Sequence, residues 1–258
     1  MTMAATGDSQ NDAYDEIGVG YAVNRRSDQR IAEQIHAALG DARSVVNVGA
    51  GTGAYEPSDR EVLPVEPSEL MISQRPPELA SAIVGYAENL PLASDSVDAA
   101  MACLTLHHWS DWRIGVQELR RVARKRVVIF TYDTSYMEHF WLLRDYLPKL
   151  ARLDVTRFPR IDEQRAAIGE EVRIEPVPIP HDCEDGFLAA YWRRPMAYLD
   201  KQIRMGMSIF QLPGAERLLD GLDELASDLQ NGRWDARNQD ISEREELDLG
   251  YRLLITEL

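Results

Sequence analysis

The hydrophobic positions in the first half of the chain alternate between two periodicities. Ile31, Ile35, Ala38 and Leu39 recur at the spacing of one helix face, behind a Ser27 that could cap and ahead of a Gly40 that could terminate the helix. Short apolar runs then fall at residues 44–48, 61–65, 81–86, 97–104 and 126–132, each bounded by turn residues, and each predicts a strand. The uninterrupted apolar run at 97–104 suits a strand buried on both faces. A helix opens at Ser68, and a stripe of Trp112, Val116, Leu119 and Val122 predicts another between the fourth and fifth strands. Strands alternating with helices in this way predict an α/β fold, a doubly wound and mostly parallel sheet.

The pattern changes after residue 133. Residues 136–153 are aromatic-rich and helical in spacing, and 171–179 reads as a strand whose prolines suit an edge position. Residues 180–246 are mostly helical in pattern, with Leu218, Leu219, Leu222, Leu225 and Leu229 as the clearest stripe, and 250–256 forms a final strand. The expected organisation is an N-terminal segment (1–26), a core (27–179 and 247–258) and a helical insertion (180–246) covering one edge of the sheet as a lid.

Charge narrows the choice of partner. The 258 residues carry 28 Lys and Arg against 43 Asp and Glu, a formal net charge of -15. Nucleic-acid affinity rests largely on Lys and Arg, so a polyanionic partner is disfavoured. The basic cluster at 120–126 lies between a helix and a strand, where cations suit the helix C-terminus. No stretch approaches the ~20 apolar residues of a membrane span. The first residues lack the basic start and apolar core of a signal peptide. Two distant cysteines, Cys103 and Cys183, fit a reducing compartment. These features predict a cytoplasmic protein with neither nucleic acid nor membrane as partner.

The most informative chemistry is a strand running into Gly49, Gly51 and Gly53. Glycines there let the backbone approach a ligand at the carboxyl edge of the sheet. Gly49-x-Gly51-x-x-Ala54 also satisfies a dinucleotide fingerprint, so a nicotinamide-dependent NAD(P) oxidoreductase is an alternative. Glu66, at the end of the second strand, could accept hydrogen bonds from two ribose hydroxyls in either case. No Gly-x-Ser-x-Gly or Gly-Lys-Ser/Thr occurs, which excludes nucleophile-elbow hydrolases and P-loop enzymes by motif. Adjacent histidines on an extended segment point oppositely and no Cys-x-x-Cys is present, so no metal is expected.

Ala-Glu-Asn-Leu-Pro-Leu at 87–92 and Ser-Asp-Ser-Val-Asp at 94–98 follow the third strand. Together with the glycine loop and Glu66, they resemble the Rossmann-like S-adenosylmethionine-dependent methyltransferases, in particular the small-molecule branch. The resemblance covers residues 14–132 by motif and the last strand by position. Segments 180–187, 190–195, 197–200 and 248–253 resemble a bacterial subgroup of the same family.

The resemblance implies a seven-stranded sheet with its last strand antiparallel, and S-adenosylmethionine as cofactor. Gly49, Gly51 and Gly53 would face the methionine portion and ribose, Glu66 the ribose hydroxyls, and Ala87 (through its N–H) and Glu88 the adenine. The carbonyl of Leu104 or Thr105 would accept from the methionine amino group. Tyr21 and Arg25 would close over the cofactor, Arg25 or Arg26 pairing with its carboxylate. Many relatives carry Asp where this chain has Asn47 and Tyr86.

Methyl transfer from a sulfonium is an in-line displacement, and orientation alone can supply ~7 to 11 kcal/mol. A general base is needed only when the acceptor loses a proton early. His107 and His108, after the fourth strand, are the catalytic candidates because histidine titrates near neutrality. Tyr14, Trp109, His181, Tyr191, Trp192 and Arg194 could line the acceptor pocket, although core packing and ion pairing would account equally for several of them. A third possibility is a non-catalytic module that binds the cofactor and regulates a partner.

Overall fold

The structure is a computed structural model and describes residues 25–258; Tyr14 and Tyr21 lie outside them. The strands are β1 (Ser44–Val48), β2 (Glu61–Glu66), β3 (Ile83–Val84), β4 (Val97–Cys103), β5 (Ala123–Tyr132), β6 (Val172–Pro176), β7 (Ile179–Pro180), β8 (Glu246–Leu247) and β9 (Tyr251–Glu257). Seven of them form one sheet in the order β3-β2-β1-β4-β5-β9-β6. β9 runs antiparallel to both of its neighbours, and the other pairs from β3 to β5 are parallel. The chain begins at β1, moves outward to β3, then returns to β4 on the other side. That reversal leaves a crevice at the carboxyl ends of β1 and β4, where doubly wound sheets bind their ligands.

Alternation along the strands builds two cores. Val45, Met101, Val128 and Phe130 join Ile31 and Ile35 of α1 (Gln29–Ala38) and Leu39 just after it on one face. Val46, Val48, Ala100, Ala102 and Ile129 pack on the other, against the apolar faces of two helices on either side of β5. α1 is capped by Asp28, whose side chain accepts from the Arg30 N–H; Ser27 instead accepts from the Tyr55 N–H at 2.8 Å and ties the glycine loop to the helix start. α2 (Glu69–Ser73) follows β2 and is capped by Ser68, and α3 (Trp112–Val122) is capped by Asp111. The basic cluster after α3 is consumed internally: Arg121 pairs with Glu118, Arg124 and Lys125 with Asp98, and Arg126 with Glu257.

Two elements differ from the sequence pattern. The third strand pairs over two residues, both exposed at the sheet edge, rather than six. Residues 136–153 are not one helix: a 3-10 turn (Thr134–His139), a π-helical turn (Leu142–Tyr146) and α4 (Pro148–Val155) succeed one another. Pro148 has no N–H to continue the preceding turn and sits at the start of α4, where none is required. α5 (Ile161–Ile168) then leads into β6.

The segment between β7 and β8 begins and ends at an antiparallel ribbon, Ile179 against Leu247 and Pro180 against Glu246. It is built from 3-10 turns with three helices, α6 (Lys201–Arg204), α7 (Gly221–Gln230) and α8 (Arg233–Arg237). It packs on the connection that follows β5. Trp141 Nε1 donates to the Trp192 carbonyl at 2.8 Å, and the Tyr146 hydroxyl donates to Asp228 at 2.9 Å. The layer above this end of the sheet therefore comes from two stretches of chain.

Candidate functional site

Two adjoining cavities open at the carboxyl ends of the parallel strands. The larger, about 200 Å³, lies between the glycine loop, Glu66, Ala87, Glu88, Leu104 and Trp109. Gly49, Gly51 and Gly53 take positive φ values of 71°, 51° and 97°, turning the loop back on itself so that Gly49 and Gly51 form the cavity wall. A Cβ on Gly49 would collide with Thr105, whereas one on Gly51 would meet only Met71 Cε at 3.4 Å. Gly53 is not part of the wall; it turns the chain against Leu79.

Glu66 is 7% exposed, and its carboxylate faces this cavity. Oε2 accepts from the Gly51 N–H at 2.8 Å and Oε1 from the Ser68 N–H at 3.0 Å. Burial raises its pKa above the usual carboxylate range, while those two backbone donors oppose the rise. Each oxygen retains a lone pair for a further donor.

Behind the loop, Asn47 donates through Nδ2 to Glu56 at 3.0 Å, and Glu56 pairs with Arg75 at 2.7 Å, both side chains nearly fully buried. Arg75 also donates to the Gly51 carbonyl. An Asp at position 47 would set a second carboxylate against Glu56, so the amide suits this chain. Leu104, immediately after β4, has a φ of 51°, an uncommon conformation for a residue with a side chain and a recurrent one at functional sites. The buried Ala87 lines the cavity, and no acceptor among the described residues takes its N–H. Glu88 lines it too and accepts from Ser110 Oγ and the Asp111 N–H.

The second cavity, about 60 Å³, is walled by Tyr132, Phe158, Phe187, Met207 and Tyr251, with Asp154, His107 and His108 among its polar groups. Arg25, Leu104 and His108 line both cavities and form the partition between them. Arg25 pairs with the fully buried Asp185 at 2.5 Å, and Asp185 also accepts from the Tyr55 hydroxyl at 2.7 Å.

Residues 46–131 match the family model of the methyltransferase domain. A solved structure from Anabaena variabilis, assigned as a methyltransferase of an antibiotic biosynthesis pathway, has a TM-score of 0.83 and 36% identity; the match covers 91% of this chain and 99% of that one. The chain belongs to the S-adenosylmethionine-dependent methyltransferases. A second solved structure, an S-adenosylmethionine-dependent methyltransferase from Thermotoga maritima, shares the fold, with a TM-score of 0.51, 22% identity, and 66% of this chain and 83% of that one covered. No curated protein matches the chain significantly.

The oxidoreductase and the non-catalytic module give way to this methyltransferase, whose cofactor is S-adenosylmethionine. The residues of the larger cavity suit that molecule: a buried carboxylate with spare lone pairs, able to accept from a diol, borders it beside a wall that a side chain on Gly51 would fill. The other candidate residues fall into two groups. Trp109 lines the larger cavity, His107 the smaller, and His108 both.

His181, Tyr191, Trp192 and Arg194 line neither cavity. Trp192 is fully buried with Nε1 on the Ile179 carbonyl, His181 faces the Glu245 carbonyl, and Arg194 lies over the Tyr191 ring while donating to the carbonyls of Cys183 and Ala190. Aromatic and basic groups in the insertion hold its own core together. Asp154, Tyr132, Phe158, Phe187, Met207 and Tyr251, which the structure does bring to the smaller cavity, come from five separate stretches of chain and carry no shared motif.

The two histidines do not titrate near neutrality here. His107 stacks between Phe158 and His108, with ring centroids 4.2 and 3.7 Å away. Burial pushes its pKa well down, and burial followed by the positive charges of Arg157 and Arg25 pushes His108 down to about 3. Both are neutral imidazoles at physiological pH. A stability effect follows. The unfolded chain protonates His108 below pH ~6.5 while the fold does not, so its contribution is whole above that pH and is lost as pH falls toward 3. Between pH 7 and pH 5, the wild type should lose about 1 to 2 kcal/mol more stability in urea than His108→Phe. Equal losses would contradict the depressed pKa.

Proposed function

We propose that this methyltransferase moves the methyl group of S-adenosylmethionine to a small molecule bound in the second cavity. The observation that carries the reading is the shared partition: Arg25, Leu104 and His108 border both spaces, so a methyl group held in the larger one lies next to whatever fills the smaller. A space of about 60 Å³ is several times the ~10 to 15 Å³ one water requires, which suits a compact acceptor. The insertion and the connection after β5 form the cover, and a cover of this kind selects the acceptor and excludes water.

When bound, the cofactor supplies an activated methyl group and its own leaving group. The chain's part is to bind and orient. Glu66 accepts from the ribose hydroxyls, Gly49 and Gly51 admit the sugar and the methionine portion, Ala87 and Glu88 meet the adenine, and the Leu104 carbonyl accepts from the amino group. Arg25, paired with Asp185, is the one Lys or Arg among the described residues lining the larger cavity, and it would meet the carboxylate; Tyr21 is a further candidate for the cofactor. His107 and His108 act as neutral hydrogen-bonding groups beside the acceptor. The net charge of -15 favours a small acceptor over nucleic acid, and no helix among the described residues is long and apolar enough to cross a membrane.

Incubation with methyl-labelled S-adenosylmethionine and a fractionated cell extract tests the reading. Label should enter low-mass compounds. Label confined to protein or RNA would contradict it.

A further inference from the structure

Of the polar groups in the second cavity, Asp154 stands apart. It lies on α4, 4% exposed, with aromatic rings around it: Tyr132, Phe158, Phe187 and Tyr251 line the same space. Its Oδ1 accepts from Arg157 Nη1 at 2.8 Å. Oδ2 takes a hydrogen bond from no described residue. A carboxylate is an acceptor with room for several donors, so Asp154 brings spare acceptor capacity to a largely aromatic wall. The Arg157 pair accounts for one oxygen of this acid and leaves the other; Leu153 and Val155 beside it are each 38% exposed, and the acid is the residue turned inward.

We propose that Asp154 is an acceptor-binding residue, receiving a hydrogen bond at Oδ2 from a hydroxyl or amine on an otherwise apolar, aromatic acceptor. The inference rests on the second cavity being the acceptor site. The remaining walls agree with it. Aromatic faces and the Met207 and Ile209 side chains offer apolar area and ring stacking. The cations near the cavity are already engaged: Arg157 serves Asp154, and Arg25 pairs with Asp185 and, in the reading above, also meets the cofactor carboxylate. An anionic acceptor would meet the Asp154 carboxylate with no cation uncommitted to an acid on the described wall, so the site excludes acids and takes a donor. Burial raises Asp154 to about 6, which leaves it ionised at neutral pH and able to draw a proton toward itself from an acidic hydroxyl.

Binding of three small probes to the complex with S-adenosylhomocysteine, followed by ligand-observed NMR titration, tests this. p-Cresol carries the donor, p-methylanisole has the same ring without it, and p-toluate is the anion. The wild type should bind p-cresol about tenfold more tightly than either of the others, as a hydrogen bond to a charged group requires. In Asp154→Asn, Arg157 holds the amide oxygen and the NH₂ faces the cavity, so the preference should shrink to about twofold or less while S-adenosylhomocysteine affinity stays unchanged. Should that variant fail to fold, the wild-type ranking decides alone. p-Cresol binding no better than p-methylanisole, p-toluate binding best, or a preference surviving in Asp154→Asn each overturns the proposal. A wild type that fails to bind S-adenosylhomocysteine would instead sink the reading of the larger cavity.

Discussion

Gly51→Val weakens S-adenosylhomocysteine binding by about a hundredfold or more and leaves the fold in place. The loop carries the reason. Gly51 sits at φ 51°, its N–H is one of the two donors to Glu66, and its α-carbon faces the larger cavity. A Cβ there meets only Met71 Cε at 3.4 Å, an ordinary contact, so the protein interior tolerates the first carbon. The two methyl groups beyond it project into the space the ribose needs. The left-handed backbone adds a cost of about 1 to 2 kcal/mol, which a well-packed sheet survives. Isothermal calorimetry reads the affinity and thermal melting reads the fold. Unchanged affinity would place the nucleoside somewhere other than against this loop.

Glu66→Ala should have an effect of the same order for a different reason. The carboxylate accepts from the Gly51 and Ser68 N–H groups on the protein side, and in the proposed reading it would also accept from the ribose hydroxyls on the other. Two hydrogen bonds to a charged acceptor, at about 1.5 to 3 kcal/mol each, correspond to a loss of about a hundredfold or more in affinity. Unlike Gly51→Val, this variant also strands two backbone donors, so its melting temperature falls as well. The pH dependence has a definite sign. Burial raises the Glu66 pKa, and ribose donors favour the ionised form, so affinity is level above the raised pKa and declines as pH falls through it. Affinity that rose with acid, or a Glu66→Ala variant that bound normally, would contradict the assignment.

The larger cavity, the proposed cofactor half of the site, was legible in sequence because it is local. A strand, three glycines and an acid at the next strand end occupy 45–66, and chain order dictates that they meet at one edge of a parallel sheet. The smaller cavity, proposed for the acceptor, was not. Asp154 stands on a short helix after a proline-initiated turn, Tyr251 begins the reversed strand, and Met207 follows a short helix of the insertion; only tertiary packing brings them together. Trp192 and Arg194 show the converse error. An aromatic-basic run carries the same composition whether it lines a pocket or cements a core, and here Trp192 Nε1 holds the β7 end of the ribbon. The histidines were found by position, but their protonation depends on burial and on Arg157, which no local pattern displays. Local strand length was also overstated at β3, where the pairing partner is a single edge and ends after two residues.

A crystal structure with S-adenosylhomocysteine bound decides the matter most directly. It should show both ribose hydroxyls within hydrogen-bond distance of the Glu66 carboxylate and the sulfur facing the partition made by Arg25, Leu104 and His108. A nucleoside seated away from Glu66, or a sulfur turned from that partition, would contradict the mechanism drawn from this fold.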